Sequence, residues 1–209
     1  MKVLAIDTGS GTSVAAGELS RDEFVLHAFV EFEDQFGHAE NIGTAILETL
    51  TKAGWQSETQ LLLAANHGPA GYTGLRVGLA AAIAYGATRK LPVLGVSSLD
   101  AAAFGFFAKN PSVTECTVAL EAKRRELFFQ TFRRDVGSVP VSTSVAGLLP
   151  LVNLPHPLPA NWVSQTADAR TIAELGARLW QQNPTVSQLS AQYLRQPDVT
   201  PGSGKRVSG

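Results

Sequence analysis

The sequence predicts an α/β fold in which short buried strands alternate with helices, and three observations carry that prediction. Residues 3–6 and 61–65 are continuous apolar runs without alternation, as expected of strands covered on both faces. Between residues 39 and 53 the hydrophobic period changes to three and four, the mark of an amphipathic helix. Residues 67–89, HGPAGYTGLRVGLAAAIAYGATR, then pass from a glycine-rich loop directly into a helix that is apolar on every side.

The first strand, over 3–6, ends at the turn Asp7-Thr8-Gly9-Ser10-Gly11-Thr12. A second strand follows over 13–19, and a third, rich in aromatic and β-branched residues, over 24–32. Short turns join the three, which makes them an antiparallel meander. Ala39, Ile42, Ile46, Leu50 and Ala53 define the inward face of a helix that stops at Gly54. The strand over 61–65 leads to the glycine loop and the apolar helix. Between residues 77 and 87 that helix has no charge, and its one strong hydrogen-bonding side chain is the Tyr85 hydroxyl. Gly74, Gly78, Ala82 and Gly86 recur every four positions and form a smooth stripe for close backbone approach, with Leu75, Leu79 and Ile83 as a bulky stripe beside it. A helix without a polar face must be covered all round. The sheet takes one face; a neighbouring helix, from this chain or from another molecule, must take the other. A strand over 92–96 and a helix over 99–108 follow, with Ser97 and Asp100 as a capping pair.

Lys109-Asn110-Pro111-Ser112 is the natural boundary, since a proline among polar neighbours ends a helix and separates packed units. It divides the chain into a first unit over 1–108, a smaller one over 109–196 and a flexible tail over 197–209. In the second unit residues 113–120 and 126–134 read as strands, with a third over 139–143. A connector with Pro150, Pro155, Pro157 and Pro159 follows, then a short strand over 162–164 and a helix over 172–181 with Ile172, Leu175 and Leu179 inward. The second half is thus a shortened echo of the first.

Charged residues make up 17% of the 209 and apolar residues 44%, against roughly a quarter charged in an average soluble domain. Such a chain has more surface to hide than a self-sufficient monomer. A net charge of -1 provides no global basic field for nucleic acid. The single Cys116 excludes an internal disulfide and fits a reducing compartment. The stretch before Asp7 is too short for the core of a signal peptide, and the apolar run over 77–87 is far short of the roughly 20 residues that span a bilayer. A soluble, cytoplasmic protein without membrane contact is expected.

Asp7 at the end of a buried strand, followed by a Gly/Ser/Thr turn, can hold a metal-bound phosphate, the carboxylate on the cation and the loop amides on the anion. The same residues also make an ordinary tight hairpin turn. No Gly-Lys-Ser/Thr follows, and Val14 stands where a dinucleotide fingerprint has its third glycine. The loop with Gly68, Pro69, Tyr72, Thr73 and Gly74 presents free amides at a helix start, a natural anion site, or else simply lets the helix pack on the sheet. Arg76 opposes the helix dipole there, so its guanidinium is expected to have a specific partner. His27, His38, His67 and His156 offer no helical pair for zinc. No Gly-x-Ser-x-Gly elbow occurs, and Cys116 reads as a buried strand residue. The charge cluster over 121–126 is either a solvated turn or a contact for RNA or protein. Phe104, Phe106 and Phe107 read as core.

Four stretches, in order, carry a family resemblance: LAIDTGSGTSVA at the start, HGPAGYTGLRVG, GVSSLDAAA, and QYLR at 192–195. They resemble the TsaB (YeaZ) family, the glycoprotease-like branch of the actin-like ATPase superfamily, in which the second motif is usually GPGSFTGLRIG. The resemblance implies an actin-like (ribonuclease H-like) fold of two lobes, each a mixed β-sheet flanked by helices, with the second lobe reduced. It implies a non-catalytic subunit of the tRNA threonylcarbamoyladenosine machinery that binds the catalytic subunit TsaD and, with it, the ATPase TsaE. Such a subunit meets tRNA through the complex and pairs with a second copy of itself when alone. The resemblance puts the partner surface on the helices over 38–53 and 73–89, here with His38, Ile42, Ile46, Leu50, Leu75, Gly78, Leu79, Ala82, Ile83 and Gly86. It assigns no metal ligands and no cofactor to the chain by itself; ATP and Mg belong to the assembled complex. The chain departs from the family pattern at Ala70-Gly71 and Tyr72, where Gly-Ser and Phe are usual, at Glu121-Ala122-Lys123, where Asp-Ala-Arg is common, and at Ala191, where proline is common. Two rival activities follow from the residues: an independent ATPase or sugar kinase on the Asp7 loop, and a peptidase, which would need a metal pair or activated nucleophile that the sequence does not offer.

Overall fold

The computed structural model describes residues 1–32, 34, 37–122, 124–135, 139–185 and 189–194. Its first sheet is built around β1 (Lys2–Asp7), in which Val3, Leu4, Ala5 and Ile6 are all inaccessible to solvent. On one side β1 pairs antiparallel with β2 (Thr12–Ser20), and β2 with β3 (Glu23–Phe32), which is the expected meander. On the other side β1 runs parallel to β4 (Leu61–Gly68), and β4 parallel to β5 (Val93–Ser97). Parallel neighbours need crossover connections. Here these are α1 (His38–Ala53), leading into β4, and α2 (Tyr72–Arg89), leading into β5. The sheet order is therefore β3-β2-β1-β4-β5.

Alternate side chains of a strand point to opposite faces, and β1 divides its apolar residues accordingly. Leu4 and Ile6, with Val14, Leu63 and Ala65, pack under α1 and α2 through Ile42, Ile46, Leu50, Leu75, Leu79 and Ala82. Val3 and Ala5, with Ala15, Leu62, Ala64 and Val96, pack under α3 (Ser98–Lys109) and α4 (Ala169–Gln182).

The second sheet is also mixed. Strands β6 (Glu115–Ala122) and β7 (Glu126–Arg133) form an antiparallel hairpin, and both β8 (Val141–Ser142) and β9 (Gly147–Pro150) pair with β7. Strand β10 (Trp162–Val163) runs parallel to β6. Cys116, Val118, Phe128 and Phe132 join the same core as α3 and α4, so these two helices are the filling between the sheets. Helix α4 starts at a capping box on Asp168, and its first amide, that of Ala169, donates to Ser13 Oγ on β2 at 3.1 Å. Gly176 lies so close to β4 that a Cβ there would stand 2.8 Å from that of Ala64. Helix α4 is thus fitted onto the first sheet.

Ser97 caps α3 as expected, its Oγ accepting the Asp100 amide at 3.3 Å. Strand β9 and the short 3-10 turn Leu151–Asn153 fall in and beside the proline-rich stretch, where no alternation announces a strand. The third strand of the second unit shrinks to Val141–Ser142. The expected tail over 197–209 and Arg195 of the QYLR stretch lie outside the described residues. No helix among the described residues is long and apolar enough to cross a membrane.

Candidate functional site

The ends of β1 and β4 bring the two loops singled out in the sequence into one structure. Asp7 Oδ1 accepts from Asn66 Nδ2 at 2.6 Å and from the Gly9 amide at 2.9 Å, while Asn66 Oδ1 accepts the Gly68 amide at 2.8 Å. Thr8 Oγ1 donates to the Gly74 carbonyl at 2.7 Å, and Thr12 Oγ1 is hydrogen-bonded to His38 Nδ1 at 3.1 Å. Within the Asp7–Thr12 turn only Ser10 is exposed; Asp7, Thr8 and Thr12 are buried, and Gly9 and Gly11 half-buried. The carboxylate and both threonine hydroxyls are committed to contacts inside the chain.

Burial pushes the Asp7 carboxyl up to about 6, opposed by the hydrogen bonds from Asn66 and Gly9 and assisted by the negative charge of Asp168. Its ordinary value is 3.8, so the folded state holds this proton more tightly than the unfolded chain. The stability contributed by Asp7 is fully present below the unfolded value and is lost as pH rises through about 6. Asp100, pushed up to about 6 chiefly by burial, acts in the same direction. Urea unfolding is therefore expected to show higher stability at about pH 5 than at about pH 7.5, with Asp7 contributing about 1–1.5 kcal/mol of the difference. Asp7→Asn should flatten that slope. A wild-type stability that is level across the interval would refute this account.

Helix α2 explains its own small stripe. A Cβ on Gly74 would stand 2.3 Å from the Thr8 carbonyl oxygen, one on Gly78 2.2 Å from Thr8 Oγ1, and one on Gly86 2.5 Å from Val93 Cγ2. The backbone lying along the upper part of this stripe is that of Thr8. Most of the expected partner surface is therefore internal. Ile42, Ile46 and Leu50 of α1, Leu75, Gly78, Leu79, Ala82 and Gly86 of α2, and His38 are all buried in the chain's own core. The reason is helical phase: the glycines must face Thr8 and β5, which turns Leu75 and Leu79 onto the sheet and leaves Ile83 outside, 48% exposed. With Ile83 the outer face of α2 presents Ala80, Ala84 and Ala87, and that of α1 presents Leu47, 62% exposed. Between the helices lies a groove of about 350 Å³ lined by Gly43, Ile46, Leu47, Leu50, Gln56, Tyr85 and Arg89. The Tyr85 hydroxyl is buried there and has no hydrogen-bond partner among the described residues.

Arg76 has the partner its position calls for. Its Nε donates to the Tyr193 hydroxyl at 3.1 Å, and its guanidinium carbon lies 3.7 Å from the centre of the Tyr72 ring, itself 5.1 Å from that of Tyr193. Tyr193 is held there by its neighbours: the Gln192 amide donates to the His67 carbonyl at 2.7 Å, and the Ser190 carbonyl accepts from His67 Nδ1 at 3.2 Å. Gly68, at φ +107°, leaves just enough room, since a Cβ would stand 2.6 Å from the Gln192 carbonyl oxygen. The glycine loop and the C-terminal Tyr-Leu stretch thus form one contact, a relation that sequence spacing alone does not reveal. Burial holds the His67 imidazole below its ordinary value, so at neutral pH it stays uncharged beneath this strap.

Other residues considered from sequence lie apart from these loops. Cys116 is buried, and burial pushes its thiol up to about 11, so it is a core residue without thiolate character. Arg124 and Arg125 are exposed at the tip of the β6–β7 hairpin, with φ of 68° and 62°. Phe104 and Phe107 are core, with Phe106 packed against it. No group of three His, Cys, Asp or Glu among the described residues is placed to hold a metal ion.

Against known proteins, residues 35–189 match the family described as TsaD, tRNA N6-adenosine threonylcarbamoyltransferase. An uncharacterized protein of Mycobacterium tuberculosis is 29% identical over 95% of this chain and 94% of its own length. The tRNA threonylcarbamoyladenosine biosynthesis protein TsaB of Escherichia coli is 30% identical over 66% of this chain and 58% of its own length. The crystal structure of YeaZ from Pseudomonas aeruginosa superposes with a TM-score of 0.76 over 92% of this chain and 99% of that one, at 19% identity. A second Pseudomonas aeruginosa structure, of a protein similar to peptidase YeaZ, gives a TM-score of 0.77 over 93% of this chain and 99% of that one, also at 19% identity. The expected architecture of two mixed sheets flanked by helices is therefore the YeaZ fold. With about three quarters of its length inside the family match, the chain belongs to the TsaD family, tRNA N6-adenosine threonylcarbamoyltransferase, as a TsaB (YeaZ)-like member.

Proposed function

We propose that this chain serves tRNA threonylcarbamoyladenosine biosynthesis as a non-catalytic assembly subunit. Its α1–α2 face docks on the catalytic subunit TsaD, TsaE joins the assembled pair, and tRNA is met through the complex. The observation that carries this reading is the outer face of α2, where Ala80, Ile83, Ala84 and Ala87 stand open beside Leu47 of α1. A helix so apolar gains little from water on that side. A partner helix laid along the groove would cover it and give the Tyr85 hydroxyl a hydrogen-bonding neighbour. A stable contact of this kind buries about 1,600 Å² in total. When TsaD is absent, a second copy of the chain takes the same face. The Asp7 turn supports the division of labour, because its carboxylate and hydroxyls are engaged with Asn66, Gly74 and His38.

The test uses residues that are open in the isolated chain. Leu47→Asp and Ile83→Asp are each expected to weaken co-elution with TsaD at least about tenfold, the effect of losing a central apolar anchor and burying a charge. Because both positions are exposed, the melting temperature of the chain should change little. Leu79→Asp would not serve, since Leu79 lies in the core and its loss would unfold the helix from the sheet. Undiminished binding by both variants would remove the α1–α2 face from the assembly.

A further inference from the structure

Asp100 lies in the first turn of α3, and its amide is held by the Ser97 cap. An acid in a first helical turn is favoured by the helix dipole, and the Asp100 side chain is in addition drawn partly out of solvent. Burial pushes the Asp100 carboxyl up to about 6, and the one opposing influence is a hydrogen bond with the Ser97 side chain. No cation answers it: Asp100 has no ion pair among the described residues, and the turns of α4 facing it bring Leu175 and Leu179. Asp100 is partly buried, and a carboxylate drawn even in part from water is costly without a counter-charge.

Asp100 lines a crevice of about 320 Å³, together with Val139, Pro140, Val141 and Ser142 and with Leu175 and Leu179 of α4. Among the described residues Asp100 is its one ionisable side chain, and Ser142 supplies a hydroxyl. The volume is at the small end of the roughly 300–1,000 Å³ typical of ligand sites. Apolar walls with one partly buried negative group favour a ligand of matching construction: a short methylene body and a cationic head that donates hydrogen bonds. An anion would be repelled, and a neutral alkyl compound would leave the carboxylate unpaired. We propose that this crevice binds a small aliphatic ammonium ion, with the ammonium on the Asp100 carboxylate and the alkyl chain against Leu175, Leu179, Val139 and Val141. This proposal is independent of the assembly role, because α3, α4 and β8 take no part in the α1–α2 face.

The experiment is calorimetric or NMR titration of the full chain with n-butylammonium chloride, alongside n-butanol as the uncharged match in shape and sodium chloride at equal ionic strength. A single saturable site for n-butylammonium is expected, with n-butanol at least about tenfold weaker, the size of one charge-assisted hydrogen bond. Asp100→Asn, which keeps the shape of the side chain, should weaken n-butylammonium to the same degree. Absence of saturable binding to the wild-type chain overturns the proposal, and so does equal affinity for the amine and the alcohol. The comparison of amine with alcohol uses only the wild-type protein, so it decides the matter even if the variant folds poorly.

Discussion

Alanine in place of Gly74 is expected to destabilise the protein by about 2–3 kcal/mol, although the same change in a free helix would favour the helix by about 1 kcal/mol. The two effects have opposite signs, which makes the outcome decisive. At this position a Cβ would stand 2.3 Å from the Thr8 carbonyl oxygen and 2.9 Å from His38 Nε2. The first of these is backbone and cannot rotate away. Thr8 is fixed on one side by its own hydroxyl bond to the Gly74 carbonyl and on the other by the Asp7–Gly9 hydrogen bond. Relief would require α2 to move off β1, opening the layer that holds Leu75 and Leu79. Gly43 on α1, where a Cβ meets nothing within 4 Å, provides the control. Gly43→Ala should stabilise by about 0.5–1 kcal/mol in the same urea-unfolding assay. A stabilised Gly74→Ala variant would mean that the turn carrying Asp7 yields easily, and the rigid contact between the two loops would have to be given up.

Much of this arrangement was legible in the sequence, and the part that was not has a common cause. The strands of the first sheet announce themselves because they are buried on both faces, and α1 because its inward residues keep a helical period. Helix α2 was recognisable as a helix, but its orientation was not. With apolar residues all round, nothing in its composition says which stripe faces the sheet; Thr8 and Val93 decide that, and they come from elsewhere in the chain. Of the expected partner residues only Ile83 stands on the outer face; the others lie on the inner one, and Leu47, which the sequence does not single out, joins Ile83 outside. The Asp7 turn was legible as a special turn, but its inward hydrogen bonds to Asn66 and Gly74 depend on strand pairing across dozens of residues. The same is true of Tyr193 on Arg76, a contact between residues 117 positions apart. Arg76 had signalled the need for a partner through its unfavourable place at a helix start; the identity of that partner was tertiary information.

The second large effect is expected at Arg134, a residue that no motif marks. Its guanidinium donates to the carbonyls of Phe107 and Asn110, each at 2.6 Å, and its Nε to that of Val113 at 2.9 Å. Its guanidinium carbon lies 4.9 Å from the centre of the Phe107 ring. The planar fork thus gathers the C-terminal end of α3 and the turn at 110–113 onto the segment following β7, where the Arg134 amide also donates to the Thr114 carbonyl at 2.8 Å. Carbonyls at a helix end lack intrahelical donors, and a cation there is favoured by the dipole. Arg134→Met retains much of the aliphatic stem and removes all three donors, so it should cost about 2–4 kcal/mol, less than the sum of three charge-assisted bonds because the site is only half-buried. Arg134→Lys keeps the charge but loses the fork, since one ammonium cannot reach three carbonyls spread over this turn in the same geometry, and should recover less than half of that loss. The measurement is urea unfolding followed at both the aromatic and the far-ultraviolet signal. If Lys restores full stability, charge at the helix end is what matters; a lasting deficit assigns the stabilisation to the fork that joins α3 to the second sheet.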